Sequence, residues 1–219
     1  MSPRRCLIAV LATAAGWLGR PPARAAEEAG PPPRPMMIAE AKMPRGFPTP
    51  GPVGQVVIKE YPAHRLARAA ADDRGVDSVF MRLFRHIKRH DIAMTAPVEM
   101  SAPEPGGGGS PSASMAFLYA TPEIGAAGPD PGDAGVVVED VPATTVVSIG
   151  VRGSYTERTF GRGRERLQEW LADHPEWTAA GPPRTLAYNS PFVPGLLKYA
   201  EVQIPVAASP PPAQSPAPE

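Results

Sequence analysis

Cysteine is almost absent from this sequence, which has a single one, Cys6, among 219 residues. One cysteine cannot form an internal disulfide, and a thiolate metal site or a Cys-x-x-Cys motif needs more than one. Cys6 also lies in an N-terminal stretch that we expect to be cleaved. The sequence therefore predicts a mature chain without thiol chemistry of any kind.

Long hydrophobic runs are lacking as well. The N-terminal run Cys6–Leu18 follows Arg4 and Arg5 and precedes the small-x-small site Ala23–Ala25. This order predicts a signal peptide over residues 1–25, a mature start near Ala26, and export to the periplasm or the outside of the cell by either the Sec or the twin-arginine route. The run is shorter than the ~20 residues of a membrane-spanning helix, so we expect no stable membrane insertion.

Neither sign of charge is in excess, because 22 basic residues balance 22 acidic ones. Loss of the leader with its four arginines leaves 18 basic residues against 22 acidic ones, a formal charge of about −4. A slightly acidic chain has no general attraction for nucleic acid, so no nucleic-acid partner is expected.

Motifs that carry catalysis are also missing. None of Ser148, Ser154 and Ser190 lies in a Gly-x-Ser-x-Gly turn, and Gly161 and Gly163 lack the pattern of a phosphate-binding loop. We therefore predict that the protein is not an enzyme.

Proline is abundant instead, with 31 residues concentrated toward the two ends. Such segments bury too little apolar surface to order themselves, which predicts a Pro-rich linker over residues 26–54 and a disordered tail over 207–219. A single domain over residues 55–206 remains.

An internal repeat divides this domain, because VVIKEYPA at 56–63 aligns with VVVEDVPA at 136–143. Each copy, about 55–120 and 135–206, is predicted as strand, helix, strand, strand, with a proline bulge in the long first strand. The helices are expected over about 77–89 and 155–174, each with an apolar stripe. The fold class is therefore α+β, with two units forming one larger antiparallel sheet.

Four segments of the chain resemble the SOUL haem-binding family: EYPA at 60–63, FMRLFRHI at 80–87, IAMTAPV at 92–98 and EVQIPV at 201–206. The resemblance spans about residues 55–206, and its most distinctive part is the Met-Thr-Ala-Pro-Val string that follows the first helix. It implies a distorted antiparallel barrel flanked by two helices and no catalytic apparatus. It also implies non-covalent binding of haem b or another porphyrin by an apolar surface near the first helix and the last loop.

Candidate haem contacts follow from the needs of the ligand, which are an apolar slot, cations for two propionates and an optional axial ligand. The residues that we expect at such a site are Met81, Arg82, Arg85, Lys88, Phe192, Lys198 and His64. Some family members carry a possible axial histidine where this chain has Glu60, so the candidate iron ligands become His64 or His86. His86 and His90 are spaced by one helical turn, but without a recognisable third ligand a metal ion site is disfavoured.

A second hypothesis comes from the same repeat, which also looks like the effector-binding domains of drug-responsive regulators. Those domains typically place a buried carboxylate against a cationic ligand, and Glu60 is the residue that favours this reading. The ligand would then be another hydrophobic or cationic small molecule. In either case we expect a monomer or a weak oligomer.

Overall fold

The computed structural model describes residues 37–71, 76–101 and 113–209. The expected signal peptide, the loop with Gly106–Gly109 and nearly all of the expected tail lie outside these residues. The helices are α1 (Val76–Arg89) and α2 (Glu157–Asp173), close to the expected ranges. The strands are β1 (Val56–Tyr61), β2 (His64–Ala70), β3 (Val98–Ser101), β4 (Ser114–Leu118), β5 (Gly128–Asp130), β6 (Asp133–Val141), β7 (Thr144–Arg152), β8 (Trp177–Ala179), β9 (Arg184–Ala187) and β10 (Tyr199–Ala208).

One large antiparallel sheet contains these strands in the order β1-β7-β10-β9-β3-β4-β2-β6-β5, and β8 pairs with β10. The pair β3 and β9 lies at the middle of this order. Moving outward from it, β4 corresponds to β10, β2 to β7 and β6 to β1. This near-symmetrical order is the arrangement that two copies of one unit produce, and it gives the α+β class expected from the sequence.

The barrel that the resemblance implies is not confirmed. In the part of the chain that the structure describes, the strand path is open, and β1 and β5 are its two ends. The strand β5 has only three residues, and its pairing with β6 shifts register between Pro129 and Asp130. So short and irregular an edge offers few backbone groups for closure against β1.

The long first strand of each repeat is broken rather than bulged. Pairing between the two repeats passes from Tyr61↔Thr144 in β1 and β7 to His64↔Val141 in β2 and β6 with no change of register. The predicted proline bulge is therefore wrong, because a bulge would add one unpaired residue on one side only. Instead Pro62 and its counterpart Pro142 interrupt both strands at the same place.

The break rotates the strand about its own axis. Tyr61 and His64 are three residues apart, yet both rings pack edge-on against Phe47, with ring centroids 5.0 Å apart in each case. In a regular strand an odd spacing places two side chains on opposite faces. Glu60 and His64 are therefore not on one face, although their spacing of four suggests it.

Both helices pack on one face of the sheet through the predicted apolar stripes. Helix α1 buries Val79, Leu83 and Ile87 against β2, β4 and β6. Helix α2 buries Leu167 against β7 and β10. Thr156 precedes the first residue of α2, and its side chain caps the helix by accepting a hydrogen bond from the Thr159 amide.

A glycine in α2 allows this close packing. The sequence suggests an irregular first helical turn around Gly161 and Gly163, but both residues lie inside regular helix. A Cβ atom at Gly163 would stand 2.7 Å from the Val202 Cγ2 atom. Only glycine therefore lets the helix approach β10 this closely.

The opposite face of the sheet is covered by residues 37–54, which we call the N-terminal segment. Met37, Met43 and Phe47 pack on a buried cluster that includes Tyr188 and Tyr199. The Arg45 amide donates to the Ala120 carbonyl, and backbone bonds also join this segment to residues 96 and 150. The sequence assigns this stretch to a linker, but its described part is packed against the domain.

Candidate functional site

A carboxylate is fully buried in β10, on the sheet face that the N-terminal segment covers. Glu201 accepts hydrogen bonds from the hydroxyl groups of Tyr199 at 3.0 Å and Tyr188 at 3.3 Å, and from the Gln203 side-chain amide at 3.1 Å. Its other partners are the Lys59 ammonium, the Gly51 amide and the Tyr61 hydroxyl. We call this group the Glu201 cluster: Glu201, Lys59, Tyr61, Tyr188, Tyr199 and Gln203.

Burial dominates the electrostatics of this cluster. It lowers the pKa of Lys59, although the charge of Glu201 acts in the opposite direction. Burial, reinforced by the Glu201 charge, raises the pKa of Tyr61 and of Tyr199 well above the ordinary range. The tyrosines therefore stay protonated at neutral pH and act as donors to a carboxylate that is already paired with one ammonium group.

The N-terminal segment closes the Glu201 cluster from solvent. The Thr49 carbonyl accepts a hydrogen bond from the Lys59 ammonium at 2.8 Å, and the Gly51 carbonyl accepts one from the Tyr199 hydroxyl at 2.6 Å. A cavity of about 200 Å³ remains beneath the segment, lined by Met37, Met43, Tyr188 and neighbouring residues. This volume is far below that of a haem-sized site, so the covered face cannot hold a porphyrin in this arrangement.

A chain of ion pairs continues from the cluster across the sheet. Arg184 in β9 donates to Gln203 at 3.2 Å and to Glu99 in β3 at 3.0 Å. Arg68 in β2 joins Glu99 and Glu139, both at 3.0 Å. Because Glu99 is buried between two guanidinium groups, this row links both halves of the sheet through satisfied polar contacts.

The exposed apolar surface lies elsewhere, on the loop between β9 and β10. Phe192 is 94% exposed and Leu196 is 73% exposed, and Leu197 is also exposed. Two cations flank the loop. The Arg152 guanidinium donates to the Leu197 carbonyl at 3.3 Å, and the Lys198 ammonium lies 5.0 Å from the centre of the Tyr155 ring. One exposed aromatic ring and two exposed leucines beside two cations suit an apolar ligand with carboxylate groups.

The expected residues of α1 lie on the outer side of that helix. Met81 is 47% exposed, and Arg85 is also exposed. Lys88 lies over the ring of Phe84 at 5.6 Å, and Arg82 forms an ion pair with Asp133 at 3.5 Å. The structure therefore brings Phe192 and Lys198 together in one loop of the second half, and it places the α1 residues on a separate surface of the first half.

Neither candidate axial histidine exposes its imidazole ring to an external ligand. His86 is buried, with one ring nitrogen 2.7 Å from Asp130 and the other 2.7 Å from the Tyr119 hydroxyl. His64 is 4% exposed, its Nδ1 lies 2.8 Å from the Pro62 carbonyl, and Phe47 packs against its ring. A haem iron could reach His64 only after the N-terminal segment had moved.

The burial of His64 predicts a pH dependence of stability. Burial lowers its pKa below the ordinary value near 6.5, so the unfolded chain takes up a proton before the folded one does. The free energy of unfolding should then fall on acidification below about pH 6.5, by at most about 1.4 kcal/mol per pH unit from this residue. In the His64→Gln variant that loss should be smaller, as measured by urea unfolding at pH 7, 6 and 5. Equal slopes in both proteins would contradict this account.

No role for Glu201 was predicted from the sequence, although Glu201 is the first residue of the EVQIPV segment at 201–206. The available signal was alternation along β10, because Tyr199, Glu201 and Gln203 share one face and Ala200, Val202 and Ile204 the other. Glu60, which the sequence suggested as the buried carboxylate, is exposed. Among the described residues the buried carboxylates are Glu99, Asp130 and Glu201, and Glu201 is the one that tyrosine rings surround.

The fold defines the class of this protein: a duplicated α+β module in which two helices pack on one face of a single antiparallel sheet. 

More particularly, the sequence pattern of the SOUL heme-binding protein family matches residues 52–205, and the chain belongs to that family. No curated protein sequence matches the chain. In the described residues, no helix is both long enough and apolar enough to cross a membrane.

Solved structures share the fold at low sequence identity. EcmrR in its cryo-EM complex with DNA has 16% identity and a TM-score of 0.51, over 71% of this chain and 58% of that one. The crystal structure of the EcmrR C-terminal domain has 16% identity and a TM-score of 0.50, over 71% and 98%. An uncharacterised conserved protein from Listeria innocua has 10% identity and a TM-score of 0.51, over 71% and 94%. This chain thus spans less than two thirds of the full EcmrR chain, and these likenesses concern the fold alone.

Proposed function

We propose that this protein is exported and binds haem b or a related porphyrin non-covalently, as a carrier or sensor and not as an enzyme. Membership of the SOUL family supports haem binding in general. The observation that carries the location is the exposed loop with Phe192, Leu196 and Leu197 beside two cations. An exposed apolar patch of this kind is a common mark of a binding surface.

In this proposal the porphyrin plane lies on Phe192 and Leu196. Burying a fully exposed phenylalanine or leucine side chain contributes about 1.5–3 kcal/mol, so two such contacts contribute about 3–6 kcal/mol toward the ~8 kcal/mol of a micromolar affinity. Arg152 and Lys198 lie beside the loop and would bind the two propionates. Met81 on α1 is also exposed, and it marks the separate α1 surface as the alternative location of the ligand.

A Soret-region titration of haemin into the protein that starts at Ala26 tests the proposal. We expect a saturable one-to-one change, weakened at least tenfold in Phe192→Ala and less strongly in Lys198→Ala. Ile58→Ala is the matched control, because Ile58 is an exposed apolar residue on β1, and its loss should leave the affinity unchanged. The Met81→Ala, His64→Gln and His86→Gln variants, read from the position of the Soret band, identify any iron ligand.

Three results would overturn the location or the ligand. Equal weakening in Ile58→Ala and Phe192→Ala would show non-specific adsorption, and loss of binding in Met81→Ala alone would move the site to α1. A non-saturating change in every protein would count against haem as the ligand.

The second candidate function is binding of an organic cation at the Glu201 cluster, where a buried carboxylate is surrounded by three tyrosines. The Lys59 ammonium already occupies this carboxylate, which disfavours an external cation. Saturable binding of rhodamine 6G, lost in Glu201→Gln but not in Glu60→Gln, combined with a failed haemin titration, would favour this candidate.

A further inference from the structure

Two histidines and an aspartate converge where the last turn of α1 meets β5. His86 and His90 are one helical turn apart on α1, and Asp130 is the last residue of β5. One nitrogen of each imidazole and a carboxylate oxygen all lie within 4.8 Å of one another. Asp130 is the third ligand that the sequence spacing of the two histidines could not reveal.

The carboxylate of Asp130 is held in a fixed orientation. Its side chain is fully buried, and Oδ1 accepts a hydrogen bond from the Gly132 amide at 2.9 Å. The two histidines contact the same carboxylate from the helix, His86 at 2.7 Å and His90 at 3.1 Å. The group is therefore a pre-oriented oxygen donor.

The imidazole of His86 has the supporting contact that metal-binding histidines usually have. Its Nδ1 faces Asp130 at 2.7 Å, and its Nε2 lies 2.7 Å from the Tyr119 hydroxyl. A ligating histidine normally uses its second ring nitrogen in a hydrogen bond that fixes the ring and the tautomer. Tyr119 is buried, and burial raises its pKa to about 12, so its hydroxyl remains a neutral partner.

Arg89 competes for the same carboxylate. Its guanidinium contacts Asp130 and provides the positive charge that balances the aspartate. Its side chain is 40% exposed, so it can turn into solvent when another cation takes its place. His90 is 41% exposed on the same side, which leaves room for a water molecule as a further ligand.

We propose that His86 Nδ1, His90 Nε2 and Asp130 bind a divalent transition-metal ion such as Zn²⁺, independently of any porphyrin. Two imidazoles and one carboxylate form a ligand set that suits Zn²⁺ and related ions. The ion would sit about 2.0–2.2 Å from each ligand atom, in place of the hydrogen bonds that the two imidazoles now make to Asp130. His86 would bind as the neutral tautomer whose proton is on Nε2 and is donated to the Tyr119 hydroxyl, and His90 would bind with Nε2 unprotonated. It would tie the C-terminal end of α1 to β5.

Zinc affinity of the untagged protein, measured by competition with a chromophoric chelator, tests this site. We expect one equivalent of Zn²⁺ to bind, with at least tenfold weaker affinity in His90→Gln and in Asp130→Asn. Arg89→Ala should bind more tightly than the wild type, because the competing cation is gone. A purely structural role for the cluster gives no reason for such a gain.

The matched control is His174→Gln, which removes a histidine at the end of α2, away from the cluster, and should leave zinc affinity unchanged. Co²⁺ substitution provides a second readout, since tetrahedral Co²⁺ with these ligands absorbs visible light strongly and His90→Gln should abolish that band. Circular dichroism establishes that each variant is folded. The proposal is overturned if Zn²⁺ binds substoichiometrically, or if His90→Gln and His174→Gln have the same affinity as the wild type.

Discussion

Replacing Glu201 by glutamine is expected to destabilise the domain by about 3–5 kcal/mol at neutral pH, because it leaves a buried ammonium without its counter-charge. Lys59 is only 7% exposed, and its other hydrogen bond in the structure is to the Thr49 carbonyl. Three tyrosine hydroxyls also lose a charged acceptor. The change in the free energy of unfolding is measured by urea denaturation.

The double variant with Lys59→Met separates the charge effect from simple loss of packing. If the unpaired ammonium is responsible, Lys59→Met together with Glu201→Gln should be more stable than Glu201→Gln alone. Burial lowers the pKa of Lys59, and loss of the Glu201 charge in the single variant lowers it further. The folded variant therefore binds fewer protons than its unfolded chain as the pH rises toward the ordinary lysine value of about 10.5, so its free energy of unfolding should increase with pH over that range. Additive effects of the two substitutions would contradict this coupling.

Removal of the N-terminal segment is the second large effect. A chain that starts at Gln55 should lose on the order of 5 kcal/mol relative to one that starts at Met37. The apolar contacts of Met43 and Phe47 contribute part of this, at roughly half of the 1.5–3 kcal/mol of a fully buried side chain. Two lost hydrogen bonds contribute the rest, at about 1.5–3 kcal/mol each: the Thr49 carbonyl accepts one from the Lys59 ammonium, and the Gly51 amide donates the other to the Glu201 carboxylate.

Thermal unfolding and dye binding provide the measurement. The chain that starts at Met37 should unfold at the same temperature as the chain that starts at Ala26. The chain that starts at Gln55 should unfold at a lower temperature and bind a dye that reports exposed apolar surface. Equal stability of the chains that start at Met37 and at Gln55 would show that the segment is dispensable for folding.

The repeat and both helices could be predicted from local patterns. The aligned VVIKEYPA and VVVEDVPA strings and the apolar stripes of the helices depend only on residues near in sequence. Periodicity of this kind predicts the fold class, because one face of each helix or strand is buried and its apolar residues recur with the period of that helix or strand.

Features that depend on distant pairing could not be predicted. The rotation of the strand at Pro62 places His64 on the buried face and Glu60 in solvent. Nothing in the sequence of residues 60–64 distinguishes a β-bulge from a break in the strand. Asp130 is 40 residues from His90, so its contact with the histidines depends on how β5 pairs with β6. The packing of residues 37–54 was missed because their proline content is typical of linkers.

The pairing of the two broken strands has a consequence for the order in which the chain can fold. Strand β1 pairs with β7, β2 pairs with β6, and β3 pairs with β9, so the first half obtains its sheet partners from residues up to Ala187. A chain that emerges from a ribosome or a translocation channel therefore has no complete first half to assemble until most of the second repeat is present. Such a topology has high contact order and delays folding until synthesis is nearly finished.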